Sequence, residues 1–254
     1  MTTNFSELRS PQVKDAADRN AALLLPVGQI EEHGPHLPIH TDLFIARRLC
    51  EETVKNLSGD PTAYVLEAVP YGYSQHVIKR WPGTFVLSQQ TVIDTLKSVC
   101  VSLADMGFRK IVLVNAHGNH DGVAKVAVRD VADQSGIGVA IVTSYALCSD
   151  VMEEHGRAGP GGSCHAGEFE TSVMLHLAPE LVDLSAANDS DKLVQVSPYS
   201  SSQAFVSTWT RQRSESGTYG DPTVATKDLG RRLFEKMVDE TAKFTRYYYG
   251  LNQV

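Results

Sequence analysis

The chain has 254 residues, 42% hydrophobic and 21% charged, a length and composition that allow a substantial buried core. Its 30 acidic and 23 basic residues leave a formal net charge of −7, which excludes a basic footprint for nucleic acid or an anionic membrane surface. No apolar run approaches the roughly 20 residues of a membrane span, and the polar start MTTNFSELRSPQVKDAADRN carries no leader-like apolar stretch.

In chain order, a polar lead-in over 1–20 is followed by an apolar run at 21–27 that predicts a short buried strand. Helical spacing of apolar residues follows over 42–57, then a strand-like stretch over 63–69. A second amphipathic helix covers 89–106 and stops at Gly107. The run KIVLVN, 110–115, is continuously apolar and β-branched, as expected of a central parallel strand covered on both faces. Residues 122–134 predict a helix, 138–143 another buried strand, and 167–177 a further helix. The segment 178–221 is rich in Ser, Asn and Gly and reads as a loop-rich excursion, before a long helix within 222–249. Alternating strands and helices predict a single α/β domain over 1–254, a three-layer α/β/α sandwich with a mostly parallel sheet.

Ligands of open α/β sheets bind beyond the carboxyl ends of the strands, so the residues just after each strand matter most. After the first strand stand Glu31, His33, His36, His40 and Asp42. After KIVLVN come Asn115, Ala116, His117, Gly118, Asn119 and His120, and Cys164-His165-Ala166-Gly167-Glu168-Phe169-Glu170-Thr171 opens the 167–177 helix. In an extended segment Glu31 and His33 project to one side, because the side-chain period is two. Two prolines and Gly34 then bend the loop back, so that Asp42 can arrive from the next helix and bridge two ions with its two oxygens. Taken alone, these three residues are equally well described as solvated side chains, with Asp42 capping the helix. The two further histidine clusters shift the balance toward a metal site. His117 sits between small residues that give it room, His120 reads as a turn histidine, and Glu168 as a solvated carboxylate. Cys164 beside His165 raises a thiol nucleophile as a minor alternative. The four cysteines are widely spaced without a CxxC pair, which fits free thiols in a reducing cytoplasm. No GxGxxG follows a strand, and neither a GxxxxGK[ST] loop nor a GxSxG elbow is present.

The segments PVGQIEEHGPHLPIHTD, WPGTFVLS, VNAHGNHDG, HAGEFETS and GTYGDPTVATKDLG resemble, in this order, the motifs of the creatininase family of amidohydrolases, and they span nearly all of the chain after residue 20. The resemblance implies a three-layer α/β/α fold with two divalent ions, zinc, manganese or iron, at the carboxyl edge of the sheet. It also implies a homohexamer built as a trimer of dimers. Residue by residue it makes Glu31, His33, Asp42 and His117 metal ligands, with Asp42 bridging, and His165 the catalytic acid. Creatinine-hydrolysing members carry a glutamate ligand where this chain has Asn119. Glu170 is the candidate replacement, with a structural role as its competitor. The tyrosine and two tryptophans that enclose creatinine have Gly118, Ala146 and Gly161 at their apparent positions, which argues against creatinine as the substrate.

The resemblance therefore implies hydrolysis of a non-peptide C–N bond in a small amide, cyclic amide or formamide, by a hydroxide held between two ions. Substrate-binding candidates are Tyr73, His76 and Trp81, with Tyr71 beside them, although aromatics there also suit ordinary packing. The alternatives are the same site acting as a lactonase, as a peptidase on a modified peptide, or as a deformylase of a nucleotide-like molecule. For a phosphate-bearing substrate, only Lys79 and Arg80 lie close in sequence to a motif. A metal-stabilised assembly protein without catalysis is the reading from a different class.

Overall fold

Two strands of six residues each, β1 (Ala22–Val27) and β3 (Lys110–Asn115), are buried at every position. Side chains on both faces of both strands are therefore out of water, which explains their apolar sequences, interrupted only at the two ends of β3 by Lys110 and Asn115. The computed structural model describes residues 2–192 and 214–251. Its sheet is parallel throughout, in the order β2 (Ala63–Val65), β1, β3, β4 (Val139–Thr143).

β2 stops at Val65, short of the 63–69 expected, although Leu66 and Val69 still donate singly to Leu24 O and Pro26 O. Pro26 is tolerated here for the same reason. Its nitrogen faces the side where the β2 ladder has ended, so no ladder hydrogen bond is lost.

Helices cover both faces. On one lie α2 (Thr41–Leu57), α6 (Glu168–Leu177) and α7 (Lys227–Gly250), packed on Leu24, Val112 and Val114. α5 (Ser149–His155) leans on the same cluster through Val151 and Met152. On the other face α1 (Ser10–Asp18), α3 (Gln89–Asp105) and α4 (His120–Ser135) enclose Leu23, Leu25, Ile111 and Leu113. α7 buries Leu229, Leu233, Phe234, Met237 and Tyr248 at helical spacing, and the Thr226 hydroxyl caps it at Leu229 N–H, 3.1 Å away. A Cβ at Gly230 would fall 1.7 Å from Ser172 O, so glycine is what lets α6 and α7 approach.

Two helices lie outside the sequence expectation. α1 occupies the polar lead-in and buries only Ala16, and α5 buries no residue fully, so neither leaves an apolar stripe in the sequence. The 178–221 excursion holds short 3₁₀ turns at Pro179–Leu181 and Leu184–Ala186, and its centre lies outside the described residues. Its return is not solvated: Ser214 and residues 217–221 are buried, with Tyr219 among the largest fully buried side chains. Among the described residues no helix is long and apolar enough to cross a membrane.

Chain order fixes where a ligand can sit. From β1 the chain passes through α2 to β2 on one side, and from β3 through α4 to β4 on the other. The reversal falls between β1 and β3, whose carboxyl ends diverge into separate loops and leave a crevice.

Candidate metal centre

The loop leaving β1 folds back on itself over 28–40. Glu31 N–H donates to Ile39 O at 2.9 Å, and Gly34 turns the chain with φ +66°. A Cβ at Gly28 would meet the Leu43 backbone at 2.5 Å, so a glycine admits the start of α2 close to the strand end. Asp42 is therefore in the first turn of α2 rather than at its cap, a position held by His40, and Asp42 is buried.

β3 delivers the second group. Asn115 accepts His117 N–H at 3.1 Å and donates to His117 O at 3.0 Å, closing the turn that aims His117 at Asp42. The third group comes from the start of α6. Ala166 holds a left-handed φ of +54° between His165 and Gly167, and its N–H donates to Glu170 Oε2 at 2.6 Å.

These groups converge. Asp42 Oδ1 lies 3.0 Å from His33 Nε2, and Asp42 Oδ2 lies 2.8 Å from His117 Nδ1. Glu31 Oε1 is 3.5 Å from His117 Nδ1, and Glu170 Oε2 is 3.9 Å from His33 Nε2. Besides a group of Glu31, His33 and His165, two overlapping triads share Asp42: Glu31, Asp42 and His117 in one, His33, Asp42 and Glu170 in the other, the donor atoms of each lying within 4.8 Å of one another. Asp42 is common to both and turns a different oxygen to each. Both histidines have their outer nitrogen engaged by a backbone carbonyl: His33 Nδ1 lies 3.1 Å from Glu31 O, and His117 Nε2 3.0 Å from Tyr73 O. Since a carbonyl only accepts, those nitrogens carry hydrogens, and in the neutral rings the lone pairs of the others face the centre.

The donor set fits divalent cations. Glu31 Oε1 and Asp42 Oδ2 are buried without a hydrogen-bond donor among the described residues, the 2.8 Å approach of His117 to Asp42 lacking hydrogen-bond alignment. Two buried carboxylate oxygens left bare would each cost free energy. The local electrostatics point the same way. Burial opposes charge on His117, yet Glu31 and Asp42 outweigh it and raise its pKa to about 9. His33, equally desolvated, is held well above the ordinary imidazole range by Asp42. Burial pushes Asp42 up, but His33 and His117 bring it below the usual carboxylate range. Burial is the first cause of the raised pKa of Glu170, which His33 only partly offsets. Carboxylates and imidazoles that hold protons between them mark a place where positive charge is favoured. Mixed nitrogen and oxygen ligands suit zinc, manganese and iron alike.

His165 stands at the rim of the triads, buried, its ring centroid 4.5 Å from that of His33 and its Nδ1 3.5 Å from Glu31 Oε1. His120 starts α4, accepts Tyr73 N–H at 3.0 Å, and meets the His117 ring edge-on. His36 is buried 3.0 Å from the Thr171 hydroxyl, and burial lowers its pKa to about 4. Asn119 accepts from Gln75 at 2.9 Å and takes no part in either triad, whereas Glu170 does.

The aromatic positions divide. Tyr73 packs its ring on the α3/α4 core and gives the centre its backbone instead, binding His117 and His120 through its carbonyl and amide. His76 is exposed. Trp81 is half-buried, edge-on to Tyr219 at 6.4 Å and beneath the Arg80 guanidinium at 4.0 Å.

Other residues depart from the sequence reading. Glu168 is not solvated but 1% exposed, accepting Arg157 N–H at 2.9 and 3.0 Å and Ala158 N–H at 2.9 Å. Cys164 is a poor nucleophile, because burial raises its thiol to about 11. All four cysteines are free. Unforeseen were Ser74, whose hydroxyl donates to Glu31 Oε2, Gln29, which donates to Ser74 at 2.7 Å, and Glu32, 3.2 Å from His165 Nε2.

A family model described as creatinine amidohydrolase matches residues 6–245. The chain belongs to the creatininase family. The mycofactocin precursor peptide peptidase of Mycobacterium tuberculosis is 30% identical over 246 residues, covering 93% of this chain and 89% of that protein. The creatinine amidohydrolase of Pseudomonas putida is 28% identical over 185 residues, covering 67% and 69%. A solved structure, "Creatininase Mn", superposes on 99% of this chain and 100% of its own with a TM-score of 0.82 at 25% identity. Creatininase-family membership makes the protein a hydrolase of amide-type C–N bonds.

Proposed function

We propose that the protein is a two-metal hydrolase of an amide C–N bond in a small amide, cyclic amide or formamide. The observation that carries this reading is Asp42, whose two oxygens face two separate imidazole and carboxylate sets. Glu31, Asp42 and His117 would hold one divalent ion, and His33, Asp42 and Glu170 the other. Bound there, such ions polarise a carbonyl and lower the pKa of water from about 15.7 toward about 7. The relative described as "Creatininase Mn" supports manganese as one choice of ion.

The chain's own residues supply the rest. Tyr73 O and Glu31 O fix the His117 and His33 rings, and Ser74 occupies the second oxygen of Glu31. When the water oxygen adds to the carbonyl carbon and the C–N bond breaks, the departing nitrogen must gain a proton. His165 is the residue we assign to deliver it: Nδ1, at the rim of the triads, takes the proton that the attacking water loses and passes it to that nitrogen.

A peptide substrate is the second reading, and one feature favours it. A Cβ at Gly118, beside His117, would meet no atom within 4 Å, so the chain leaves open space next to that ligand candidate. The relative named as a peptide peptidase is consistent with such room. The test is turnover by zinc- or manganese-loaded protein on a panel of amides, formamides, lactones and short peptides. C–N cleavage abolished by Asp42→Asn supports the proposal, and a protein that binds no divalent metal defeats it.

A further inference from the structure

The alternation that sends Glu31 and His33 to one side of an extended segment sends Glu32 to the other. Glu32 accordingly joins neither triad. It is nevertheless buried, 5% exposed, and its Oε1 lies 3.2 Å from Nε2 of His165, 133 residues further along the chain. We infer that Glu32 is a positioning residue that sets the orientation and tautomer of the His165 ring, holding hydrogen on Nε2 so that Nδ1 faces the reaction centre. The inference rests on the assignment of His165 as proton donor.

Three observations carry it. First, the carboxylate sits in a built niche. Gly34 N–H donates to Glu32 Oε2 at 2.9 Å, and Glu32 N–H donates to the Thr84 hydroxyl at 3.1 Å. Gly217 closes the niche so tightly that a Cβ there would fall 2.1 Å from Glu32 Oε2. The carboxylate therefore has little freedom to leave His165.

Second, an ionised carboxylate only accepts, so the nitrogen that faces it must donate. That places hydrogen on Nε2 in the neutral ring. The other nitrogen, Nδ1, is 3.5 Å from Glu31 Oε1, turned toward a ligand candidate but beyond good hydrogen-bond length.

Third, Tyr219 N–H donates to His165 O at 2.9 Å from the same returning strand of chain that carries Gly217. Backbone and ring of His165 are thus both held, one by residue 219 and the other through the niche that residue 217 closes. A proton donor oriented by a third group, here one itself held by a backbone amide, is the arrangement hydrolases use to keep an imidazole poised.

Glu32→Gln tests this, because the amide keeps the volume but offers one oxygen for two donors, Gly34 N–H and His165 Nε2–H. Zinc-loaded full-length protein with ¹⁵N-labelled histidine reports the ring tautomer by NMR, with His165 assigned through His165→Asn and spectra taken to a pH at which the ring is neutral. The expected result is hydrogen on Nε2 in the wild type and a shift toward Nδ1 in Glu32→Gln, with zinc content and fold unchanged. Glu32→Ala, as a second variant, should mix the two tautomers. On ring-substituted formanilides, Glu32→Gln should lower kcat by about 10–100-fold, most for the poorest leaving anilines, with KM much less affected. An unchanged tautomer in both variants overturns the role of Glu32 while leaving the hydrolase reading standing. A His165→Asn protein that hydrolyses every formanilide at the wild-type rate overturns the proton-donor assignment, and the role of Glu32 with it.

Discussion

Asp42 presents Oδ1 to His33 at 3.0 Å and Oδ2 to His117 at 2.8 Å, so one carboxylate joins the loop after β1 to the loop after β3. Replacing it by asparagine keeps the shape but removes the charge and one of the two acceptor oxygens. Asp42→Asn should therefore lose at least one bound metal equivalent and cut turnover by at least about 10²-fold. Metal analysis of the dialysed protein and a rate on any accepted amide check both parts.

His165 groups with Glu31 and His33 but lies outside the two triads that share Asp42, so its removal leaves both Asp42 ligand sets complete. His165→Ala should retain its metal and lose about 10²- to 10⁴-fold in kcat, the span expected for a general acid. The loss should shrink as the leaving nitrogen becomes less basic, which a series of substituted anilides measures.

The metal-free protein should show an unusual stability profile. His117 is raised to about 9 and His33 is raised as well, so above the unfolded imidazole value of about 6.5 the folded state holds more protons than the unfolded one. This contribution to stability is present below about pH 6.5 and is lost as pH climbs toward about 9. His36 and His120 work in reverse: burial lowers them to about 4 and about 3, so on the acid side stability falls as pH drops below about 6.5. Thermal unfolding of chelator-treated protein should peak near neutrality. Added zinc should release protons and flatten the alkaline fall, because ligation requires neutral imidazoles. A flat profile without proton release would contradict the charge balance described for the centre.

Glu168 closes the turn before α6 by accepting three contacts from the N–H groups of Arg157 and Ala158. Glu168→Ala leaves both N–H groups without that acceptor, the one at Ala158 in a buried position, and should destabilise the fold by roughly 2 kcal/mol, as an orphaned buried N–H does. Because the 157–158 turn adjoins the His165 loop, a lower Tm should accompany reduced activity. Denaturant unfolding together with metal content distinguishes this loss from direct damage to the ligands.

Much of this architecture was legible in the sequence, and the gaps have physical causes. β1 and β3 are readable because strands buried on both faces have apolar interiors, and the ligand candidates because they cluster just beyond those strands. Glu170 could be named because Asn119 lacks a carboxylate, and the structure does bring Glu170 Oε2 to 3.9 Å from His33. The burial of Glu168 is hidden from the sequence because its partners are backbone amides 10 and 11 residues earlier, which leave no trace in residue types. Residue types give no sign of the role of Glu32, because its partner lies 133 residues away. The helices α1 and α5 bury too little to impose a pattern. Tyr73 was expected to offer a ring and instead offers its backbone, a choice no side-chain pattern encodes.

The central claim is that this centre holds a pair of ions sharing Asp42. Anomalous diffraction from crystals of the manganese-loaded protein tests it most directly. The account predicts two peaks, one among Glu31, Asp42 and His117 and the other among His33, Asp42 and Glu170. A single peak, no peak, or a second ion bound without Glu170 would contradict it.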